Sequence, residues 1–451
     1  MTSPKPRPAD DSGPIIPHKE PAGGGATLEA AMAKEHNPIK RLFLVLGPGL
    51  ITGASDDDPS GIGTYAVAGA SFGFVTLWTA LLSFPLMTAT QMICARVGQV
   101  SGRGVAGVLR HHYPRWLLYP AVSALVLANT LNAGADIGAI AAAINLLIPI
   151  PIAAMIVPIA LLIIALQVWG SYRFISNTFK WLALALLAYI GAAAFARPDA
   201  GEVLKHTFIP TIKLDGDYIA LLVAILGTTI SPYLWFWQSN QEVEEEISMG
   251  RTSVAARKGA TDAEKKYSAL DTTIGMFASN VVMYFIILTT AATLFKAGNT
   301  NINSAADAAE ALRPLAGSGA TILLAVGLIG AGLLAIPILT GSAAYAVSEA
   351  FGWRYGLDRK PGRAKQFYGI IAASTLIGML INFVGINPID ALFWTAVING
   401  VLAPPLLVII MLIANNEKVM GKDRNGPITN ALGWITVALM SAAAIALFFT
   451  F

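Results

Sequence analysis

Charge is scarce in this chain. Only 13% of its 451 residues are Asp, Glu, Lys or Arg, about half the share found in soluble globular proteins. That shortage excludes a fold with an ordinary water-facing surface. Cysteine occurs once, at Cys94, so neither an internal disulfide nor a thiolate metal cluster can form. The five histidines, His18, His36, His111, His112 and His206, all fall outside the long apolar runs. No imidazole ligand is therefore expected inside a bilayer. A Gly-rich phosphate loop, a zinc spacing and a nucleophile triad are also missing, and nothing supports an enzyme. No nucleic-acid partner and no obligatory protein partner is expected.

What the chain has instead is apolar length. Hydrophobic residues make up 55% of it, and many windows reach the roughly 18 apolar residues that mark a membrane-spanning helix. The pattern predicts an all-α polytopic membrane protein with the bilayer as its surroundings. Eleven spans are expected, at 41–71, 74–97, 116–148, 152–169, 176–196, 217–240, 270–295, 319–349, 367–384, 388–414 and 428–450. Residues 1–38 read as a disordered cytoplasmic tail, without the apolar core of a signal peptide. If that tail is inside, Arg197, Lys205, Lys213, Lys296 and Arg313 lie outside, and the other 25 of the 30 basic residues lie inside. Positive residues favour the inner face. The expectation is a multi-pass protein of the cytoplasmic (inner) membrane, N-terminus cytoplasmic and C-terminus external.

Two spans are interrupted. The first breaks at Asp58-Pro59-Ser60-Gly61, and the sixth at Gly227-Thr228-Thr229-Ile230-Ser231-Pro232. An offset of five spans is odd, so the two halves run through the membrane in opposite directions. Paired breaks in inverted halves point to a transporter's midplane binding site. The expected organisation is a first repeat over 39–200, a second over 201–420, and a final helix within 421–451. Pro85 and Pro337 read as simple kinks.

The first break also carries acid. Asp56, Asp57 and Asp58 lie about 15 residues into their span, where a charge is costly and marks function by default. Helical neighbours are about 100° apart, so the three cannot all meet one ligand. Asp58 is the favoured ligand, placed at the end of the first half-helix. A competing role is N-cap of the second half, with Pro59 in the first position. Asp56 and Asp57 read as vestibule groups or groups behind the direct ligands. Ser55, Asp58, Ser60, Thr228, Thr229 and Ser231 offer only oxygen, and no Met, Cys or His stands in either break. Oxygen suits hard dications such as Mg²⁺ or Mn²⁺ better than Cu⁺ or Zn²⁺. The run Gln241–Glu246 reads as a solvated face balanced by Arg251, Arg257, Lys258, Lys265 and Lys266. Trp235, Phe236 and Trp237 read as packing. Asp271 and Asp390 lie near span ends; Asp271 reads either as part of a residual ion path with Asp136 or as a hydrated interfacial group.

The stretch GPGLITGASDDDPSG (47–61) resembles the first helix of the NRAMP divalent-metal transporters, whose signature is Asp-Pro-Gly-Asn after Gly-Pro-Gly. Where NRAMP proteins have Met-Pro-His, this chain has Ser231-Pro232-Tyr233. Their third-helix Asp and Glu, used for proton coupling, become Asn132 and Ala135, with Asp136 one residue out of register. Their tenth-helix Ser-Gln pair resembles Thr395-Ala396, which leaves Asn399 as the nearest amide. The combination is similar to the NRAMP-related magnesium transporter branch. That resemblance implies a LeuT-type fold with a 5+5 inverted repeat. It also implies transport of Mg²⁺ and Mn²⁺ as cargo, no resident cofactor and no proton coupling. The implied metal site is Asp58, Ser55, Gly61, Thr228 and Ser231, the carbonyls of Ser55 and Thr228 included. Asp56, Asp57, Tyr233, Asn399 and Asp136 would line the pathway or stand behind the ligands. The alternatives are a proton-coupled Mn²⁺/Fe²⁺ symporter, against which Tyr233, Asn132 and Ala135 stand and which Asp136 keeps open, and a LeuT-fold carrier of an organic solute. Asp58 would repel a solute carboxylate.

Overall fold

A computed structural model describes residues 47–170, 184–357 and 359–450. The predicted tail and the start of the fifth predicted span lie outside them. No strand occurs among the described residues. Counting helices of eight residues or more, the order is α1 (Pro48–Asp56), α2 (Pro59–Phe72), α3 (Trp78–Ser101), α4 (Val105–His112), α5 (Arg115–Leu147), α6 (Ile152–Trp169), α7 (Ala188–Ala196), α8 (Ala200–Phe208), α9 (Gly216–Thr229), α10 (Pro232–Ser248), α11 (Asp262–Thr290), α12 (Ala320–Phe351), α13 (Lys365–Leu380), α14 (Pro388–Ala414) and α15 (Pro427–Thr450).

Among the described residues, nine helical stretches are long and apolar enough to cross a membrane, with α9 and α10 taken as one. The count of eleven would need two more. One is α1/α2, whose halves of 9 and 14 residues are each too short alone. The other is the partly described fifth span, of which Ala185–Ala196 is apolar.

Both predicted breaks are present. Pro59 and Pro232 begin their helices. A proline lacks the N–H that would continue a preceding helix and clashes with the carbonyl four residues back. The residue before each is extended, with φ −68° and ψ 167° at Asp58 and φ −80° and ψ 126° at Ser231, as proline requires of its predecessor. Pro85 and Pro337 lie inside continuous helices.

The broken helices form the centre. Of the apolar stretch of α9/α10, 94% is buried, against 28% of that of α15. Helices α1 and α2 pack on α11; α9 packs on α14, and α10 on α3; α5 packs along α12. Helices α6, α13 and α15 present Leu161, Leu162, Ile377, Phe448 and Phe449 outward, as lipid contact requires. Helix α1 meets α11 with almost no space between backbones. A Cβ on Gly53 would overlap the Gly275 carbonyl, and one on Gly275 would overlap the Gly49 carbonyl. Trp235, Phe236 and Trp237 are core residues, as expected.

Two expectations are corrected. Asp271 is not a hydrated interfacial group. It is buried, and its carboxylate accepts from the amides of Gly47 (3.0 Å), Gly49 (2.6 Å) and Leu50 (3.0 Å). It thus satisfies the otherwise orphaned amides that start α1. Asp271→Ala should cost about 3–5 kcal/mol, since each buried unpaired amide costs about 1–3. Thermal unfolding in detergent measures this, and Asp271→Asn should lose less.

The acidic run is likewise not one solvated face. Glu242 is buried and accepts from Gln99 (2.8 Å), Gln238 (2.8 Å) and Ser268 (2.7 Å). Thr52 of α1 donates to Gln238 at 2.6 Å. Glu246 is buried, 3.7 Å from Arg251. Arg257 is buried and donates to the carbonyls of Gly102, Arg251 and Thr252. Lys265 pairs with Asp262 and Asp423.

Candidate metal site

The break in the first span is built around Asp58. Helix α1 ends at Asp56, Asp57 is its C-cap and Asp58 is the N-cap of α2. The carboxylate therefore belongs to the positive end of α2, not to the negative end of α1 as the sequence suggests. Its Oδ1 accepts from the Gly61 amide at 2.7 Å, and its Oδ2 from the Asn132 side chain of α5 at 2.8 Å. The cap role is thus real. Two carboxylate oxygens offer about four acceptor positions, and these bonds use two.

Gly61 lies hard against that carboxylate, where even a Cβ would be crowded. A Cβ there would stand 3.0 Å from Thr228 Oγ1, 3.3 Å from Asp58 Oδ1 and 3.4 Å from the Asp56 carbonyl oxygen. Three oxygens of different kinds, from α1, the Asp58 cap and α9, thus converge on the space a side chain would fill. No sulfur or imidazole is among them. The described histidines His111, His112 and His206 lie in α4 and α8, neither of which is long enough to span.

Ser55, one residue earlier, is differently engaged. Its hydroxyl donates to the Ile51 carbonyl at 2.8 Å, and its own carbonyl accepts from the Tyr233 hydroxyl at 2.8 Å. The carbonyl at the Gly61 space is Asp56's, because α1 ends two residues before the Asp58 cap. Ser231 donates to the carbonyls of Gly227 (3.1 Å) and Thr228 (2.6 Å). Those are the acceptors freed by the second break. Thr229 turns back to the Ile225 carbonyl at 2.8 Å.

Asp56 and Asp57 are enclosed rather than lining a vestibule. Ser279 of α11 donates to Asp56 at 2.7 Å and lies 3.3 Å from Asp57. The sequence reading missed Ser279, although a Ser279-Asn280 pair in an apolar helix was a visible signal. Ser60 donates to the Leu392 carbonyl at 2.8 Å and approaches Thr395 at 3.3 Å. Asn399, one turn beyond Thr395 on α14, is buried with Oδ1 unpartnered. Asp136 is fully buried, and neither of its oxygens makes a well-formed hydrogen bond, with the Ser60 amide the one donor acting on it. Among the described residues no basic side chain pairs with Asp56, Asp57, Asp58 or Asp136.

Comparison with known proteins places this geometry. The chain is 26% identical over 440 residues to the divalent metal cation transporter MntH of Brucella suis, covering 94% of this chain and 93% of that one. It is 26% identical over 409 residues to MntH of Vibrio campbellii, covering 90% and 91%. The fold matches a manganese transporter of Eremococcus coleocola with a TM-score of 0.72 at 19% identity, over 91% of this chain and 87% of that one. It also matches Mhp1, a nucleobase-cation-symport-1 family transporter in a closed conformation with bromovinylhydantoin bound. That TM-score is 0.52 at 16% identity, over 89% and 90% of the two chains. The fold is LeuT-type, with broken first and sixth helices. The description of the natural resistance-associated macrophage protein-like (Nramp) family matches residues 49–450, and the chain belongs to that family.

Proposed function

We propose that this protein carries Mg²⁺, and Mn²⁺ with it, into the cell by alternating access, driven by the membrane potential and without proton coupling. The relatives named as divalent metal cation transporters support the class of cargo. The observation that carries the reading is the convergence beside Gly61 of three oxygens, from the Asp58 carboxylate, the Thr228 hydroxyl and the Asp56 carbonyl. Hard dications take oxygen ligands, and Mg²⁺ keeps several of its waters. A few protein oxygens around a partly hydrated ion are therefore enough.

The energetics allow passive uptake. A dication entering a cell held at about −100 mV gains roughly 4.6 kcal/mol, at about 2.3 per charge. That equals about three decades of accumulation, at roughly 1.4 kcal/mol per decade. Asn132 supports the absence of a proton relay, because it presents an amide to Asp58 where an acid would exchange protons. The distribution of basic residues supports a cytoplasmic N-terminus and an external C-terminus in the cytoplasmic membrane. Asp136 favours a second reading, proton-coupled Mn²⁺ transport.

One experiment separates them. Purified protein in liposomes with a negative interior should admit Mg²⁺ and Mn²⁺ with no change in internal pH. Metal-dependent acidification would establish the coupled reading instead. Entry of neither ion would end the metal reading and favour an organic solute.

A further inference from the structure

The Asp136 carboxylate is only weakly held in the hydrogen-bond network. It is 0% exposed, and neither oxygen makes a well-formed hydrogen bond, the one donor acting on it being the backbone amide of Ser60. A buried polar group left so is expensive, and a buried charge more so. The position is also specific. Asn132 and Asp136 are separated by four residues, so they share one face of α5. Asn132 fixes where that face points, through its 2.8 Å bond to Asp58 Oδ2. The neighbours acting on Asp136 are the Asp58 carboxylate and the backbone amide of Ser60, in the first turn of α2. Ile140, a turn further on, lies with Pro59 against Gly332 of α12. The stripe 132–136–140 thus runs across the start of α2, where the Asp58 carboxylate acts on Asp136, and among the described residues no basic side chain pairs with either acid. Asp56 and Asp57 face elsewhere, toward Ser279.

We propose that Asp136 is a second acidic ligand of the transported dication, holding it from the α5 side through water that the ion retains. This rests on the metal-carrier reading above. Charge balance supports it. A helix N-terminus supplies about +0.5 charge. The C-terminus of α1, whose Asp56 carbonyl faces the same place, offsets it by about −0.5, so a dication with Asp58 alone leaves about +1, and a second carboxylate brings the remainder to about zero. Two carboxylates on different helices, bridged through water, also suit an ion that sheds its hydration reluctantly.

The test uses Asp136→Asn, which keeps shape and removes charge. Full-length protein in detergent is titrated with Mg²⁺ and with Mn²⁺ while its unfolding temperature is followed, since a ligand that binds the native state raises it. The Mg²⁺ needed for half the shift should rise at least tenfold in the variant. KM for uptake in liposomes should rise in parallel, and the metal-free unfolding temperature should not fall. Asp136→Ser, smaller and also uncharged, should give the same metal shift if the Asn variant folds poorly. An unchanged Mg²⁺ half-point in a folded variant overturns the proposal. So does an unchanged half-point with an altered pH profile, which would make Asp136 a proton site. If the unaltered protein responds to neither metal, the underlying carrier reading fails instead.

Discussion

Asp58→Asn abolishes metal uptake and leaves the protein folded. Asn is as good an N-cap as Asp, so the Gly61 amide keeps its acceptor and α2 keeps its start. What disappears is one negative charge and the acceptor for Asn132, which can turn its amide so that its unpartnered Oδ1 accepts instead. A dication about 4 Å from a carboxylate gains about 8 kcal/mol at an effective dielectric of about 20, twice the figure for unit charges. If two-thirds of that is lost to desolvation, the remainder is still about two decades of affinity. Uptake into liposomes should therefore fall at least 100-fold, with the unfolding temperature in metal-free detergent equal to or above that of the unaltered protein. Uptake within threefold of normal would remove Asp58 from the site. Asp58→Ala is a poorer probe, because it also removes the cap, at about 0.5–2 kcal/mol.

Gly53→Ala should disrupt the carrier from a position that touches no ion. The added methyl would overlap the Gly275 carbonyl of α11. Backbone cannot swing aside as a side chain can, so the cost belongs at the upper end of the overpacking range, about 3 kcal/mol. Helix α1 would be pushed off α11. The Asp271 bonds at its start and the Ser279 bonds at its end would be strained together. Both a lower unfolding temperature and a loss of transport are expected. Gly369→Ala is the control: it lies inside α13 with nothing within 4 Å of the added carbon. Helix propensity there favours Ala by about 1 kcal/mol. If Gly53→Ala behaves like this control, the close approach of α1 and α11 does not hold the fold.

The sequence made the breaks legible because each is a proline with a polar residue before it, a local signal with a local cause. It also gave the acid that matters, since Asp58 is the residue before Pro59 and proline forces it out of the helix. The exact end of α1 was not legible. Whether a helix stops one or three residues before a proline depends on what its last carbonyls meet. Here the Tyr233 hydroxyl, 178 residues away, holds the Ser55 carbonyl, and Asp56 supplies the next one. Asp271 was misjudged for the same reason: the amides it caps lie more than 220 residues earlier. The half-burial of the acidic run could have been seen. Gln238, Glu242 and Glu246 recur every four residues, a helical stripe that composition alone conceals.

Along the chain, α1 and α2 are consecutive halves of one span, yet among the described residues no hydrogen bond joins their helical residues directly. The bonds of α1 run sideways instead: Thr52 to Gln238, Tyr233 to the Ser55 carbonyl, and its leading amides to Asp271. Helix α1 is therefore fastened to α10 and α11 rather than to its own continuation, and α2 reaches it only through the Asp57–Asp58 linkage and their shared seat on α11. Neighbours along this chain are thus held less to each other than to helices roughly 180 and 220 residues further on, so chain order and mechanical order do not coincide.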